Sequence, residues 1–158
     1  MARRKTQANG QGLEHQPELK PGQLVIYTDG ACKGNPGPMA MGISIQGEGV
    51  TVSISGLLGH GTSNIAEYKA AIVGLKKAQM MKAEEVDLRM DSELVVKQLS
   101  GEYSVKHEAL KPLHAEALEL LKLFPKYKVK HVPREQNTRA DELANQAYSS
   151  DVASSSGG

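Results

Sequence analysis

Leu24-Val25-Ile26-Tyr27-Thr28 is a short apolar, β-prone run that stops at Asp29-Gly30 and gives way to Ala31-Cys32-Lys33-Gly34-Asn35-Pro36-Gly37-Pro38. Such a run forms a strand, and a strand that ends on an aspartate sets the carboxylate at the rim of a sheet on a rigid support. The glycines and prolines that follow bend the chain back and leave backbone open beside the acid. Asp-Gly is also a common turn pair. A plain strand and turn is therefore the competing reading, and the acids further along decide between the two.

At 158 residues the chain suits one domain with a real core. With no Trp and a single Phe, aromatics are scarce and argue against a stacking platform for single-stranded nucleic acid. The net charge of +1 gives no global basic field, so any polyanion must be held by a local arrangement. One cysteine, Cys32, excludes an intramolecular disulfide framework and a cysteine-based zinc site. No apolar run approaches the length of a membrane span or a signal-peptide core. The expectation is a cytoplasmic protein without membrane contact.

Residues 1–22 are polar, carry Arg3, Arg4 and Lys5, and lack apolar periodicity, which predicts a disordered basic arm and linker. Residues 149–158 are small and polar and predict a flexible tail, leaving 23–148 as the folded domain. Within it, Met39–Gln46 and Val50–Leu57 flank Gly47-Glu48-Gly49, which reads as a hairpin with a three-residue connection. Residues 59–64 read as a loop ending in cap-type residues before a helix to about Met81. Glu67, Ala71, Gly74 and Ala78 share one face of that helix, and the small residues suit close approach to a sheet.

Val86–Asp91 alternates as a strand that again ends on an aspartate, and a short helix follows to Leu99. A longer helix has Pro112 in its first turn and Leu113, Ala117, Leu120, Leu121 and Phe124 on one face, with Pro125 as its stop. Tyr127, Val129 and His131 alternate with lysines in a last strand. Pro133–Asn137 forms a loop, and a helix over Thr138–Tyr148 carries Asp141 near its start. Helices between strands at this spacing imply parallel crossovers. The expected fold class is α/β, a five-stranded mixed sheet with an antiparallel meander, then parallel strands, flanked by helices.

In that topology Asp29, Glu67, Asp91 and Asp141 can meet at one rim. Clustered carboxylates raise one another's pKa unless a cation neutralises them. Oxygen ligands of this kind suit Mg²⁺ or Mn²⁺, and phosphoryl transfer with two metal ions needs such a site. Glu67 has a plainer reading as a favourable acid near a helix N-terminus, and Asp91 or Ser92 as an N-cap.

Tyr27-Thr28-Asp29-Gly30-Ala31, Gly34-Asn35-Pro36-Gly37-Pro38, Asn64-x-x-Glu67-Tyr68, Asp91-Ser92 and Asn137-x-x-Ala140-Asp141-x-Leu143-Ala144 occur in that order. Together they resemble the type 1 ribonucleases H, in the compact form without a basic protrusion, over roughly residues 23–148. The resemblance implies the ribonuclease H-like fold and an endoribonuclease that hydrolyses the RNA strand of RNA·DNA hybrids. It also implies 3′-hydroxyl and 5′-phosphate ends and little sequence preference. It implies two Mg²⁺ ions, with Mn²⁺ as a substitute, on Asp29, Glu67, Asp91 and Asp141. Asp91 would bridge the ions, and Glu67 would also hold a ribose hydroxyl. Substrate contacts fall on Asn35, Ser63 and Asn64, with Thr62 as a phosphate ligand. These fit a wide minor groove lined with 2′-hydroxyls, and a monomer is expected.

Two departures from the family pattern matter. Members carry a histidine in a Gly-rich loop ten residues before the last aspartate. Here that count gives His131, within strand-like alternation, so Arg134 is preferred as the residue that assists catalysis electrostatically. The stretch Asp91–His107 is also too short to hold the basic protrusion, and Lys97, Lys106 and Lys111 are a thin substitute. Binding is therefore expected to be weaker and strongly salt-dependent. A binding module without turnover, and a transposase-like enzyme of the same fold, are the rival readings.

Overall fold

A computed structural model describes residues 18–157, with side chains described through Ser149. The expected basic arm, with Arg3, Arg4 and Lys5, lies outside the described residues except for its last few. Strands β1 (Gln23–Cys32), β2 (Gly37–Gly47) and β3 (Val50–Gly61) form the antiparallel meander. Helix α1 (Ser63–Met80) then crosses to β4 (Glu85–Met90), which lies parallel to β1. Helices α2 (Glu93–Leu99) and α3 (Lys111–Leu121) lead to β5 (Lys126–His131), parallel to β4, and α4 (Thr138–Gly157) closes the chain. The sheet order is β3-β2-β1-β4-β5, the five-stranded mixed sheet that the sequence implies.

Several bounds differ from those expected, each for a local reason. Gly47 pairs directly with Val50, so the hairpin connection is the two residues Glu48-Gly49, with Gly49 at φ +68°. Strand β3 runs through residues 59–61, where a loop was expected. A register shift opposite Met39/Ala40, with Gly59 at φ +85°, lets pairing resume with Gly59↔Met39. Helix α3 stops at Leu121 rather than near Phe124, because the residue before Pro125 is disfavoured in helical geometry. Phe124 is buried all the same. Helix α4 continues past Tyr148 to Gly157, where a tail was expected, and no glycine or proline interrupts it before Gly157.

Period-two alternation sorts the sheet into two faces. Ile26, Ile43, Ile45, Leu88 and Met90 point to the side covered by α1 and α3 and build the main core with Leu75 and Leu121. On α1 the small stripe is buried as expected, and a Cβ on Gly74 would lie 3.1–3.4 Å from Ile26, Thr28 and Ile43. Helix α4 covers the other face over β1–β3, with a smaller cluster of Ala40, Ala147 and Tyr148.

Each helix is seated by one glycine of the sheet. At Gly30 any side chain would occupy the backbone of Ala66 and Glu67 in α1, and at Gly42 the backbone of Ala140 and Ala144 in α4. Gly42 is the register partner of Asp29. The two closest helix–sheet approaches therefore fall beside that aspartate, one on each face.

A buried polar link joins the three helices of the main core. The Tyr68 hydroxyl donates to Gln98 Oε1 at 2.6 Å, and His114 Nε2 lies 3.0 Å from the Gln98 carbonyl oxygen. That oxygen can only accept, so Nε2 carries the proton. The Tyr68 and His114 rings meet edge to face at 6.3 Å. Burial pushes the Tyr68 hydroxyl up to about 12, which keeps it protonated as a donor. Tyr68→Phe leaves Gln98 Oε1 buried without its donor and should cost roughly 1–3 kcal/mol in urea unfolding. An unchanged midpoint and slope would show that the link contributes nothing.

Candidate active site

Strand β1 outlasts its parallel neighbour. Its pairing with β4 ends at Thr28↔Met90, while its pairing with β2 continues to Cys32↔Met39. Asp29 is therefore not the last residue of the strand, as expected, but the first beyond the reach of β4. Asp91 follows the end of β4. Each acid is one residue past the Thr28↔Met90 pair, so both leave the same sheet face. Asp29 is 6% exposed.

Glu67, the fifth residue of α1, reaches the same place and accepts from the Gly30 N–H at 3.1 Å. It lies beyond the first turn, so helix-dipole stabilisation does not account for it. Carboxylate oxygens of Asp29, Glu67 and Asp91 all lie within 4.8 Å of one another. Asp141, in the first turn of α4, stands outside that group of three but is near enough to hydrogen-bond with Asp29. The Ser92 hydroxyl, rather than Asp91, caps α2 by accepting from the Val95 N–H at 3.3 Å. Asp91 is thus free of capping duty.

The electrostatics follow from this crowding. Burial pushes the Asp29 carboxyl up to about 7; the Asp91 charge and the Asp141 carboxyl add to the rise, and Arg134 opposes it. Glu67 is raised well above the usual carboxylate range by burial and then by Asp29, against the stabilising Gly30 N–H. Arg134, whose charge opposes the rise, is 79% exposed and pairs with Asp141 at 3.6 Å, outside the group of three. Several acids forced together, with an exposed arginine at their edge, form the donor set that a hard divalent cation relieves.

Asn137 is the residue whose role the sequence did not reveal. It is 1% exposed, and its Nδ2 donates to the Thr28 carbonyl oxygen at 2.9 Å and to Asp91 Oδ2 at 3.1 Å. One side-chain amide thus takes over where the β1–β4 ladder ends and fixes Asp91 against β1. Its Oδ1 is buried without a partner among the described residues. The only signal in sequence was its place at the head of Asn137-x-x-Ala140-Asp141.

Asn35, Thr62, Ser63 and Asn64 come together with His107 and Leu110 around a groove of about 220 Å³ at the N-terminus of α1. Thr62 caps the helix by accepting from the Ile65 N–H at 3.3 Å. Asn35 Oδ1 accepts from the Ser63 N–H at 3.0 Å, and its Nδ2 lies 3.4 Å from Ser63 Oγ. The turn and cap duties are therefore real, and they hold these polar groups at the groove.

His131 and Arg134 part company. His131 is the register partner of Met90, whose side chain is in the main core, so it leaves the face opposite to Asp91. Arg134, in a short 3₁₀ turn at Arg134–Gln136, lies on the side of the acids.

A reverse-transcriptase-like family model matches residues 27–147. A ribonuclease HI of Halobacterium salinarum is 42% identical over 134 residues, covering 84% of this chain and 67% of its own. A ribonuclease H of Pseudomonas entomophila is 36% identical, covering 76% of this chain and 89% of its own. The chain belongs to the ribonuclease H family. It spans only 35% of a bifunctional protein of Mycobacterium tuberculosis to which it is 40% identical. Among solved structures, a ribonuclease H1 of Halobacterium salinarum aligns with a TM-score of 0.79 at 39% identity, over 82% of this chain and 99% of that one. The ribonuclease H1 LC11 in complex with an RNA/DNA hybrid aligns with a TM-score of 0.76 at 41% identity, over 82% and 99%. No described helix of this family member is long and apolar enough to cross a membrane.

The raised Asp29 carboxyl has a consequence for stability. The folded state holds that proton more tightly than the unfolded chain, whose Asp titrates near 3.8. Its contribution is fully present below pH 3.8 and is lost as pH rises through about 7. With chelator present, Asp29→Asn should be more stable than wild type at pH 8, on the order of 1 to 4 kcal/mol, with the gap closing toward pH 4. Urea unfolding at the two pH values checks this. A variant less stable than wild type at pH 8 would contradict the strained cluster.

Proposed function

We propose that this ribonuclease H family protein hydrolyses the RNA strand of RNA·DNA hybrids, with divalent metal and with little sequence preference, leaving 3′-hydroxyl and 5′-phosphate ends. The observation that carries the reading is the cluster itself: three carboxylates within 4.8 Å, two of them raised, on rigid elements beside a fourth. A binding module has no use for carboxylates aimed at a polyanion. Bound at such a site, two Mg²⁺ ions, or Mn²⁺ in their place, supply an activated water and stabilisation of the leaving oxygen.

The residues of the chain divide the remaining work. Asp29, Glu67, Asp91 and Asp141 provide the oxygen ligands, and Asn137 keeps Asp91 turned toward Asp29. Glu67 additionally takes a ribose 2′-hydroxyl. Arg134, exposed at the edge of the acids, swings toward the scissile phosphate and offsets its charge. Asn35, Ser63 and Asn64 read the minor groove, whose 2′-hydroxyls identify the RNA strand without reading bases, while Thr62 meets a phosphate. A cytoplasmic monomer completes the reading.

The deciding measurement is cleavage of an end-labelled hybrid at low salt with Mg²⁺, with Mn²⁺ and with chelator, beside double-stranded RNA and double-stranded DNA. Metal-dependent cutting of only the RNA strand is expected. Asp91→Asn should lower turnover by at least about 100-fold while hybrid binding persists. Full activity in that variant would remove the metal site from the mechanism.

A second comparison separates the two cationic candidates. Arg134→Ala should lower kcat by roughly 10-fold or more, and His131→Ala should leave it within about twofold. The reverse order would return the role to the histidine.

A further inference from the structure

Helix α4 covers β1–β3 and leaves β4 and β5 on the same face of the sheet without a helix over them. This open floor belongs to the face of the acids: Asp87, Arg89 and Asp91 follow one another at two-residue steps along β4 and past its end. Strand β5, at the sheet edge, sets Lys126, Lys128 and Lys130 on that side as register partners of Glu85, Asp87 and Arg89, and all three lysines are exposed.

The charges on the floor do not cancel evenly. Arg89 is held down, with Nη2 and Nε donating to Asp87 Oδ2 at 2.9 and 3.3 Å and Nη1 donating to the Tyr27 hydroxyl at 2.8 Å. Asp87 is thereby taken up, and Lys128 stands 3.8 Å from it with its side chain 66% exposed. Lys130 lies directly across from Arg89, a cation opposite a cation, and pairs with no carboxylate among the described residues. At the far end Glu18 and Glu85 both line a groove of about 230 Å³. The excess of positive charge therefore lies nearest the acid cluster, in line with Arg134 at its edge.

We infer that this floor is a docking track for single-stranded RNA that continues beyond the hybrid, its phosphates taken by Lys130 and then Lys128 once the strand has passed Arg134. This rests on the hybrid-cleaving reading and adds the form of the substrate: a hybrid whose RNA strand runs on unpaired. Neighbouring strands are about 4.8 Å apart, so a floor two strands wide beside the wall of α4 takes one strand of nucleic acid and is too narrow for a duplex. Lysines two residues apart stand about 6.6 Å from each other along the strand, a step similar to that between phosphates of an extended chain. Edge lysines also protect a sheet from pairing with another. That duty accounts for their place on β5 but not for a cation set against Arg89, which a bound anion relieves. The contact is to phosphate and is therefore salt-dependent.

The test is steady-state cleavage of a blunt hybrid and of hybrids with a short unpaired extension of RNA at its 5′ end, of RNA at its 3′ end, or of DNA. In wild type, one RNA extension should lower KM roughly 3- to 10-fold, and the DNA extensions should not. Lys128→Gln/Lys130→Gln should lose that gain, with kcat within about twofold, and should flatten log KM against log salt by roughly 1.4, about 0.7 for each phosphate released. Lys82→Gln/Lys122→Gln, the same change of charge beyond the ends of α1 and α3, should keep both the gain and the slope. Thermal unfolding accompanies each protein, and Lys130→Gln alone, which breaks no ion pair, should show about half of the slope change.

The track is overturned if no RNA extension lowers the wild-type KM, if a DNA extension gains as much, or if the lysine variants lose as much on the blunt hybrid as on the extended one. If wild type cuts no hybrid at all, the hydrolase reading fails first. Equilibrium binding of the blunt and extended hybrids by the same proteins then decides the track by the same comparisons.

Discussion

Backbone contact between sheet and helix is the constraint on which the rest of this molecule depends. Gly30 brings β1 against α1, and Gly42 brings β2 against α4, at distances that no side chain would allow. The two contacts lie one residue and one register partner away from Asp29. Glu67 from one helix and Asp141 from the other are thereby delivered to the same aspartate. The main core, large on the α1 side, supplies the burial that keeps these contacts closed against the repulsion they create.

That repulsion is stored at the proposed metal site. Asp29 is buried beside Asp91 and Asp141, with the exposed Arg134 countering it. Sites of this kind trade stability for a binding-ready arrangement, and the fold tolerates the trade because the acids sit on strands and helices rather than on loops. The hydrogen bonds are spent accordingly. Gly30 N–H steadies Glu67, Asn137 steadies Asp91, and Arg134 pairs with Asp141 at the edge of the group.

Much of this was legible in the amino-acid sequence, because period and punctuation are local. Apolar runs and alternation placed the five strands, proline and glycine placed the breaks, and the helices between strands implied the parallel crossovers. The acids were visible as strand-end and helix-start residues. What stayed hidden depended on register. His131 looked like a possible partner of Asp141 by count, yet its pairing with Met90 turns it to the opposite face, a fact no alternation pattern contains. Asn137 looked like a turn residue, because nothing in its neighbours says that a strand ladder ends beside it. The extension of β3 through residues 59–61 rests on a bulge, which sequence marks only by a glycine.

The two faces of the sheet are fastened differently. The α1 side joins twenty buried residues in one cluster, whereas α4 buries Ala140, Leu143, Ala144, Ala147 and Tyr148, helped by Tyr148 donating to the Pro38 carbonyl oxygen at 2.7 Å and by Ser55 donating to that of Leu143 at 2.5 Å. Asp141 rides on α4, and Asn137 stands at its threshold. Detachment of this one helix would remove a carboxylate and release Asp91 in the same motion, while the sheet and its larger core stayed folded. Hydrogen exchange at the start of α4 therefore reports how often the catalytic rim is assembled at all.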